Sequence, residues 1–239
     1  AGQLEAYGQQ TTFKVGELKN QTGTLQAYNK GNLGIEALAI DNTDGHLKSN
    51  ANLSLKANLV NNTKGETAAV GSLSAVVADN LQNSGGVFLG NEGVTIKAGG
   101  VENIAEGKIG SAKGDVAMAL SKPLHNEHGH VQAAKKLTLD ALGVNNQAGT
   151  ITAENAVIDA GTGSFDNTRG EINAQKVLES KSGAFVNDAG LVHAGETLAL
   201  DTRGQQFTNT HSQETWGVRS GGDATLNLGD VENSATGLV

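Results

Sequence analysis

The sequence predicts an all-β protein: a right-handed parallel β-helix, or β-solenoid, of about 11 coils of about 21 residues, each with three short strands. Three observations predict it: an asparagine that recurs every 20 to 24 residues, period-2 alternation of apolar and polar residues, and glycine-rich turns. Residues 1–239 are therefore expected to form a single β-helical repeat domain. The right hand is expected from the usual chirality of parallel crossovers.

The recurring asparagine marks one corner of each coil. In all eleven copies the residue two positions earlier is apolar, which chance would rarely produce in a chain with 37 % hydrophobic residues. Glycine follows three residues later in eight copies and four residues later in two. Both residue types tolerate left-handed backbone, and stacked asparagines can hydrogen-bond between coils. The eleven positions are Asn20, Asn42, Asn62, Asn83, Asn103, Asn126, Asn146, Asn167, Asn187, Asn209 and Asn233.

The segments between corners supply the core. Apolar residues recur at alternate positions, as in Leu53 and Leu55, and a small residue, usually alanine, precedes them. Phe165, Phe185 and Phe207 hold the same place in consecutive coils, so we expect an aromatic column. Other repeat classes fit less well. Leucine-rich repeats need a helical segment, helical repeats need a longer period, and propeller blades carry a Trp-Asp motif that is absent here. Eleven coils spaced about 4.8 Å apart would form a rod roughly 50 Å long.

Composition limits the classes of function. The net charge is −8 and no basic run exceeds a dipeptide, so we expect no nucleic-acid partner. No apolar run approaches the ~20 residues of a membrane helix, and the polar N-terminus is unlike a signal peptide. Without cysteine there is neither a disulfide framework nor a thiolate metal site, and we expect no cofactor. Both ends stop within a repeat and lack a cap, so a fragment of a longer array is expected.

The repeat unit resembles that of the filamentous haemagglutinin family, large exoproteins of two-partner secretion systems in Gram-negative bacteria. The stretches FDNTRGEINA (165–174), FVNDAGLVHAGETLAL (185–200) and VNNQAGTITA (144–153) carry the resemblance, which covers essentially the whole chain. It implies a β-helical filament exported by an outer-membrane transporter to the cell surface or medium, where some members are adhesins. Others, the contact-dependent growth inhibition exoproteins, present a receptor-binding region and deliver a C-terminal toxin.

The resemblance therefore implies a structural shaft that displays distal receptor-binding or toxin regions and contacts neighbouring repeats of the same exoprotein. Such virulence factors act on target cells, and a receptor or glycan is a further expected partner. The alternatives are a carbohydrate- or receptor-binding module and, more remotely, a polysaccharide-active β-helix enzyme. Enzymatic activity is not expected, since the carboxylates are spread along the coils without long loops to form a cleft, and no nucleophile elbow, phosphate loop or metalloprotease motif is present.

One stretch is a candidate partner-binding loop. The Asn209 copy lacks the usual glycine and contains THSQETWGVRSGG, residues 210–222, with the only tryptophan, Trp216, and with Arg219 nearby. A loop that leaves a regular rod is a natural binding surface, and Trp and Arg are enriched at interface hot spots. The alternative is a tolerated insertion whose tryptophan packs back onto the rod.

Three further features could bind ligands. His125, His128 and His130 cluster near one corner and could hold Zn²⁺ or Ni²⁺, although solvent-exposed turn histidines without a carboxylate partner are the simpler interpretation. Asp140, Asp159, Glu179 and Asp201 each follow an apolar residue and are predicted to form an acidic row. It could hold Ca²⁺, attract a basic partner, or be a solvated face that keeps strands from pairing laterally. Tyr7 and Tyr28 should stack on neighbouring coils, where they could cradle a sugar or simply pack.

Overall fold

The chain folds into stacked coils built entirely from parallel strands. The computed structural model describes residues 2–212 and 216–234, and no helix occurs among them. Strands of the same face pair with the coil before and the coil after, always in parallel, so the prediction of a β-solenoid of about 11 coils is confirmed. None of the described residues belongs to a helix that could cross a membrane.

The first face follows the asparagine corner. Its strands are β1 (Gln3–Ala6), β4 (Thr24–Ala27), β7 (His46–Ser49), β10 (Glu66–Ala69), β12 (Val87–Gly90), β14 (Lys108–Ser111), β17 (His130–Ala133), β20 (Thr150–Asp159), β22 (Glu171–Lys181), β24 (Leu191–Ala194) and β27 (Gly217–Ser220). Strands β20 and β22 continue around a bend into the second face.

The second and third faces complete each coil. The other strands of the second face are β2 (Gln10–Lys14), β5 (Asn32–Glu36), β8 (Leu53–Ala57), β11 (Ser72–Gln82), β13 (Gly93–Glu102), β15 (Asp115–Leu120), β18 (Lys136–Asp140), β25 (Thr197–Asp201) and β28 (Ala224–Asn227). Strands β11 and β13 continue into the third face. The other strands of the third face are β3 (Glu17–Lys19), β6 (Ala39–Asp41), β9 (Leu59–Asn61), β16 (Leu124–His125), β19 (Val144–Asn145), β21 (Phe165–Asp166), β23 (Phe185–Val186), β26 (Phe207–Thr208) and β29 (Val231–Glu232).

The core is a narrow aliphatic column with one aromatic section. Strand residues alternate between buried and exposed, so every second side chain points inward. Phe185 lies between Phe165 and Phe207, with ring centroids 4.7 Å and 5.8 Å away, and all three are buried. The predicted aromatic column is therefore confirmed.

The corner asparagines form a continuous ladder through the rod. Each side-chain amide donates a hydrogen bond to the amide oxygen of the next asparagine, at 2.7 to 2.9 Å, from Asn20 to Asn233. Nine of the eleven side chains, from Asn42 to Asn209, are buried. The predicted asparagine ladder is confirmed.

The corner glycines have a different role from the one predicted. The left-handed residue is the one before the glycine, for example Asp44 with φ 52° and Arg169 with φ 55°. The glycine itself is needed for close approach: a Cβ on Gly170 would collide with the Asn146 carbonyl oxygen and lie 2.6 Å from Asn167 Oδ1. The ladder therefore requires a residue without a side chain at this position.

Replacing Gly170 with alanine should lower the free energy of unfolding by roughly 2–3 kcal/mol, because the methyl group overpacks against backbone and ladder atoms that cannot move independently. Denaturant unfolding followed by circular dichroism would measure the loss. The matched control is Gly204→Ala at another corner, where an added Cβ meets nothing within 4 Å and only the positive φ of 75° opposes the change. Equal losses at both positions would contradict the close-approach explanation.

Candidate functional site

The Asn209 corner is the largest departure from the repeat. Gly217 pairs with Leu191 of the preceding coil, yet it lies eight positions after Asn209, whereas Leu191 lies four positions after Asn187. The insertion therefore amounts to four residues and is confined to the corner before β27. Residues 213–215 of the predicted loop lie outside the described residues.

The structure separates the two residues proposed to bind a partner. Trp216 is half-buried and stands at the end of the insertion, directly before β27. Arg219 is exposed, but it belongs to β27, where it pairs in register with His193 of the first face. The prediction of one loop over residues 210–222 is therefore wrong for residues 217–220, because Val218 is a buried core residue that makes this segment a strand.

The beginning of the insertion is attached to the coil beneath it. The Thr210 hydroxyl donates a hydrogen bond to Asp188 Oδ1 at 2.8 Å, and His211 Nδ1 lies 2.6 Å from the same oxygen. The bond from Thr210, followed by that from His211, holds the pKa of the Asp188 carboxyl below its usual value. Asp188, a residue that the sequence analysis did not single out, therefore anchors the beginning of the candidate loop.

The three clustered histidines do not converge. His125 Nδ1 lies 3.2 Å from Glu127, while His130 lies 3.0 Å from Glu106 and 2.7 Å from the Thr150 hydroxyl. The part of the chain that the structure describes contains no group of three or more His, Asp or Glu residues arranged to hold a metal ion. Each of these two histidines has a carboxylate neighbour, which the sequence interpretation did not foresee.

The predicted acidic row is wrong at one of its four positions. Asp140 pairs with Asp159, but Asp159 pairs with Lys181, and Lys181 pairs with Asp201. Glu179 lies two residues earlier, because the last inward residue of β22 is the buried Ser180 rather than Leu178. A lysine therefore interrupts the acidic residues, and their mutual repulsion is relieved.

This row belongs to a longer feature that we name the charged column. It consists of the last outward-facing residue of the second face in each coil. Its register follows the backbone pairing without interruption through eleven coils. From first to last coil its members are Lys14, Glu36, Lys56, Val76, Lys97, Ala119, Asp140, Asp159, Lys181, Asp201 and Asn227.

Ion pairs connect the column within the chain. Glu36 lies between two lysines, 3.7 Å from Lys14 and 2.9 Å from Lys56. Arg203 reaches across two coils and donates two hydrogen bonds to the Asp159 carboxylate, at 2.6 and 2.9 Å. Partial burial raises the pKa of Asp159. The hydrogen bonds from Arg203 and from the Gly161 backbone amide, together with the nearby positive charges, outweigh burial and hold that pKa below its usual value.

A shallow groove runs beside the charged column, along the corner between the second and third faces. It measures about 600 Å³ in the first four coils and about 520 Å³ in the next section. The exposed apolar side chains of Val15, Leu38 and Val76 line the first section. We call this feature the corner groove.

The tyrosine pair stacks as predicted. Tyr7 and Tyr28 have ring centroids 5.1 Å apart and planes inclined by 12°, and both hydroxyls lie within hydrogen-bonding distance of Glu5. The hydrogen bond to Glu5 raises the pKa of the Tyr7 hydroxyl. Because the rings stack face to face, their shared faces are closed to a sugar ring, which favours packing over a carbohydrate platform.

Acid should destabilise the rod. The pKa values of Asp188 and Asp159 are lower in the folded chain than their ordinary value near 3.9, so these carboxylates stabilise the fold above about pH 4 and lose that effect as pH falls further. We expect the melting temperature to be nearly constant between about pH 6 and 5 and to decline below about pH 4. Calorimetry across this range would measure it. Arg203→Ala should reduce the decline, and an unchanged profile would contradict the assignment.

The comparisons with known proteins give no relative: no family model, no curated protein and no solved structure matches this chain.

Proposed function

We propose that the chain is a structural shaft, a rigid rod that holds other parts of a larger protein at a fixed distance. The observation that supports this function is the asparagine ladder, which joins eleven coils by ten side-chain hydrogen bonds in addition to the backbone pairing. Each coil contacts its neighbours, so stiffness is a property of the whole stack.

The finer proposal rests on the repeat sequence. The resemblance to filamentous haemagglutinin repeats supports a segment of a secreted exoprotein from a two-partner system, carried to the surface of a Gram-negative bacterium by its outer-membrane transporter. Its distal regions would mediate adhesion or contact-dependent growth inhibition with toxin delivery. Catalysis is not part of this proposal.

An in-frame deletion of whole coils tests the shaft function. Removing residues 84–146 deletes three coils and joins Asn83 to Gln147, so the corner register is preserved. We expect the shortened chain to fold and its length in small-angle X-ray scattering to decrease by about 14 Å, three steps of about 4.8 Å. A control deletion of residues 84–135 ends within a coil, disrupts the register and should prevent folding. A shaft is contradicted if the register-preserving deletion collapses the rod.

Surface exposure tests the finer proposal. Antibodies raised against this chain should label intact bacteria that make the parent protein, and external protease should remove the label. Labelling that appears only after the outer membrane is permeabilised would contradict export.

A second candidate function is a binding module at the Asn209 insertion. The half-buried Trp216, next to four extra residues, is the observation that favours it. A glycan array and target cells probed with the wild-type chain and Trp216→Ala would test it. Equal signals from the two would remove Trp216 as a contact residue, and deleting residues 217–220 is unsuitable because they form a core strand.

A further inference from the structure

The charged column is polarised along the rod. Its first five coils contain Lys14, Lys56 and Lys97 against the single acid Glu36. Its seventh to tenth coils contain three aspartates against the single base Lys181. The column therefore changes sign near Ala119, and the corner groove follows its first half with a basic edge.

From this polarity we propose that two copies of the chain associate side by side and antiparallel, column against column and corner groove against corner groove. The two-fold axis lies between the fifth and sixth coils, at Lys97 and Ala119. A two-fold interface brings the same patch of both subunits together, so each contact occurs twice. This inference does not depend on the proposed shaft function.

The charges are complementary in this register. The first coil faces the tenth, the second faces the ninth and the third faces the eighth. Opposite charges meet in all three cases: Lys14 with Asp201, Glu36 with Lys181, and Lys56 with Asp159. Symmetry doubles these to six opposed pairs.

Other arrangements are less favourable. A parallel pair would set each charge against its own copy. With the axis through Ala119, Glu36 faces Asp201 and Lys56 faces Lys181, and these like pairs outnumber the one opposite pair, Lys97 with Asp140. With the axis through Lys97, Lys14 faces Lys181, Glu36 faces Asp159 and Lys97 faces its own copy. Only Lys56 then meets an opposite charge, at Asp140. An axis between the sixth and seventh coils opposes Lys56 with Asp201 and Lys97 with Asp159, which gives four pairs rather than six. The column therefore favours the register centred between Lys97 and Ala119.

Exposed apolar side chains also lie near the centre of the same strip. Val76 of the fourth coil is 51 % exposed, and Leu142, which follows Asp140 in the seventh coil, is 56 % exposed. These coils face each other in the proposed register, so Val76 lies opposite Asp140 and beside Leu142, which is two residues further along the facing coil. Arg203 remains on Asp159 and shares that carboxylate with Lys56 of the second copy. The ion pair of Asp79 with Lys122 contributes no net charge to the corner.

The size of the strip predicts a weak complex. Ten coils extend about 43 Å, and the strip is two outward positions wide, roughly 7 Å apart along a strand. Such a strip buries less than the roughly 1,200 Å² of a standard interface. We therefore expect a dimer that forms at high concentration and dissociates as salt screens its exposed charges.

Charge-reversal variants test the pairing. Glu36→Lys and Lys181→Glu each place like charges in two of the six pairs, and each should raise the dissociation constant about tenfold. Mixed in equal amounts, the two variants should restore the dimer, because every reversed residue then meets an opposite charge. Sedimentation velocity over a concentration series would measure all three samples.

Lys176→Glu is the matched control. It removes an intrachain ion pair with Glu154, 2.6 Å long, but lies on a different corner of the rod. It should leave the dissociation constant unchanged, and melting temperatures would confirm that all variants fold.

The absence of cysteine allows a geometric test. Ala119→Cys lies beside the axis and should cross-link with a short bifunctional thiol reagent, whereas Asn227→Cys should not, since its two copies lie about 50 Å apart. A chain that stays monomeric at every concentration overturns the proposal. So does a dimer that is insensitive to both reversals, or one that cross-links equally at both positions.

Discussion

Replacing Asn126 with alanine is expected to lower the free energy of unfolding by about 3–5 kcal/mol, because several buried polar groups lose their partners at once. Its amide donates to Asn146 Oδ1 at 2.7 Å and to the carbonyl oxygens of Gly129 and Thr150, both at 3.2 Å. Its own oxygen accepts a 2.7 Å hydrogen bond from Asn103. Alanine offers neither a donor nor an acceptor there.

The position of Asn126 increases the effect. It is the sixth of eleven asparagines, so its loss divides the ladder into two sections of five. In a stack where each coil is stabilised by its neighbours, a break in the middle weakens the coupling between both halves. We therefore expect faster amide hydrogen exchange in the coils on either side, and a less cooperative unfolding transition.

Denaturant unfolding and hydrogen exchange would measure these changes. Asn58→Ala, at an exposed corner residue, is the control and should cost less than about 0.5 kcal/mol. A loss at Asn126 no larger than that at Asn58 would show that the ladder is not a stabilising element.

Much of the fold could be predicted because one constraint repeats eleven times. A buried asparagine at each corner needs an apolar residue two positions earlier and a glycine soon after, and this combination is visible in the sequence. The reason for the glycine was not visible. Close approach of the preceding coil to Gly170 depends on the stacking of coils, which no single copy reveals.

Thr67 illustrates a polar residue that the stack accommodates. It occupies an inward position that is apolar in most other copies, and its hydroxyl donates a 2.9 Å hydrogen bond to Asn62 Oδ1. The partner is the ladder itself, so a hydroxyl at this position does not leave an unsatisfied group.

The second face was predicted less well. Ser180 is buried where Ile158 and Leu200 occupy the neighbouring coils, and its hydroxyl has no hydrogen-bond partner among the described residues. Because Leu178 is the last apolar residue of this segment, the sequence analysis ended the inward-facing residues there and assigned Glu179 to the acidic row. Pairing register, rather than residue type, determines which charge follows the last inward residue.

The candidate loop shows the same limit. The sequence located the insertion correctly but extended it through β27, because a short strand containing one inward valine resembles loop sequence. Val218 is buried against the core, and this places Arg219 on a sheet face. Pairing with β24 is a long-range property that the local sequence does not contain.

Replacing Phe185 with alanine should produce the second large loss of stability, about 3–5 kcal/mol, from lost burial and the cavity left behind. Phe185 is the middle ring of the aromatic column, so its removal eliminates the contacts with both Phe165 and Phe207. The coils on either side are held apart by backbone pairing at about 4.8 Å, so they cannot close the cavity.

Phe185→Leu separates volume from aromatic stacking. Leucine occupies the equivalent inward position in other coils, at Leu18, Leu81 and Leu124, so the site accepts its shape. We expect Phe185→Leu to cost about 1–2 kcal/mol, which includes the roughly 0.5–1.5 kcal/mol that stacked rings contribute beyond burial. Thermal unfolding of both variants measures the difference. If the two substitutions lower the free energy of unfolding equally, the aromatic column stabilises the fold through ring stacking alone. If neither lowers it by more than about 1 kcal/mol, the coils close onto the cavity and the rigid-stack explanation is wrong.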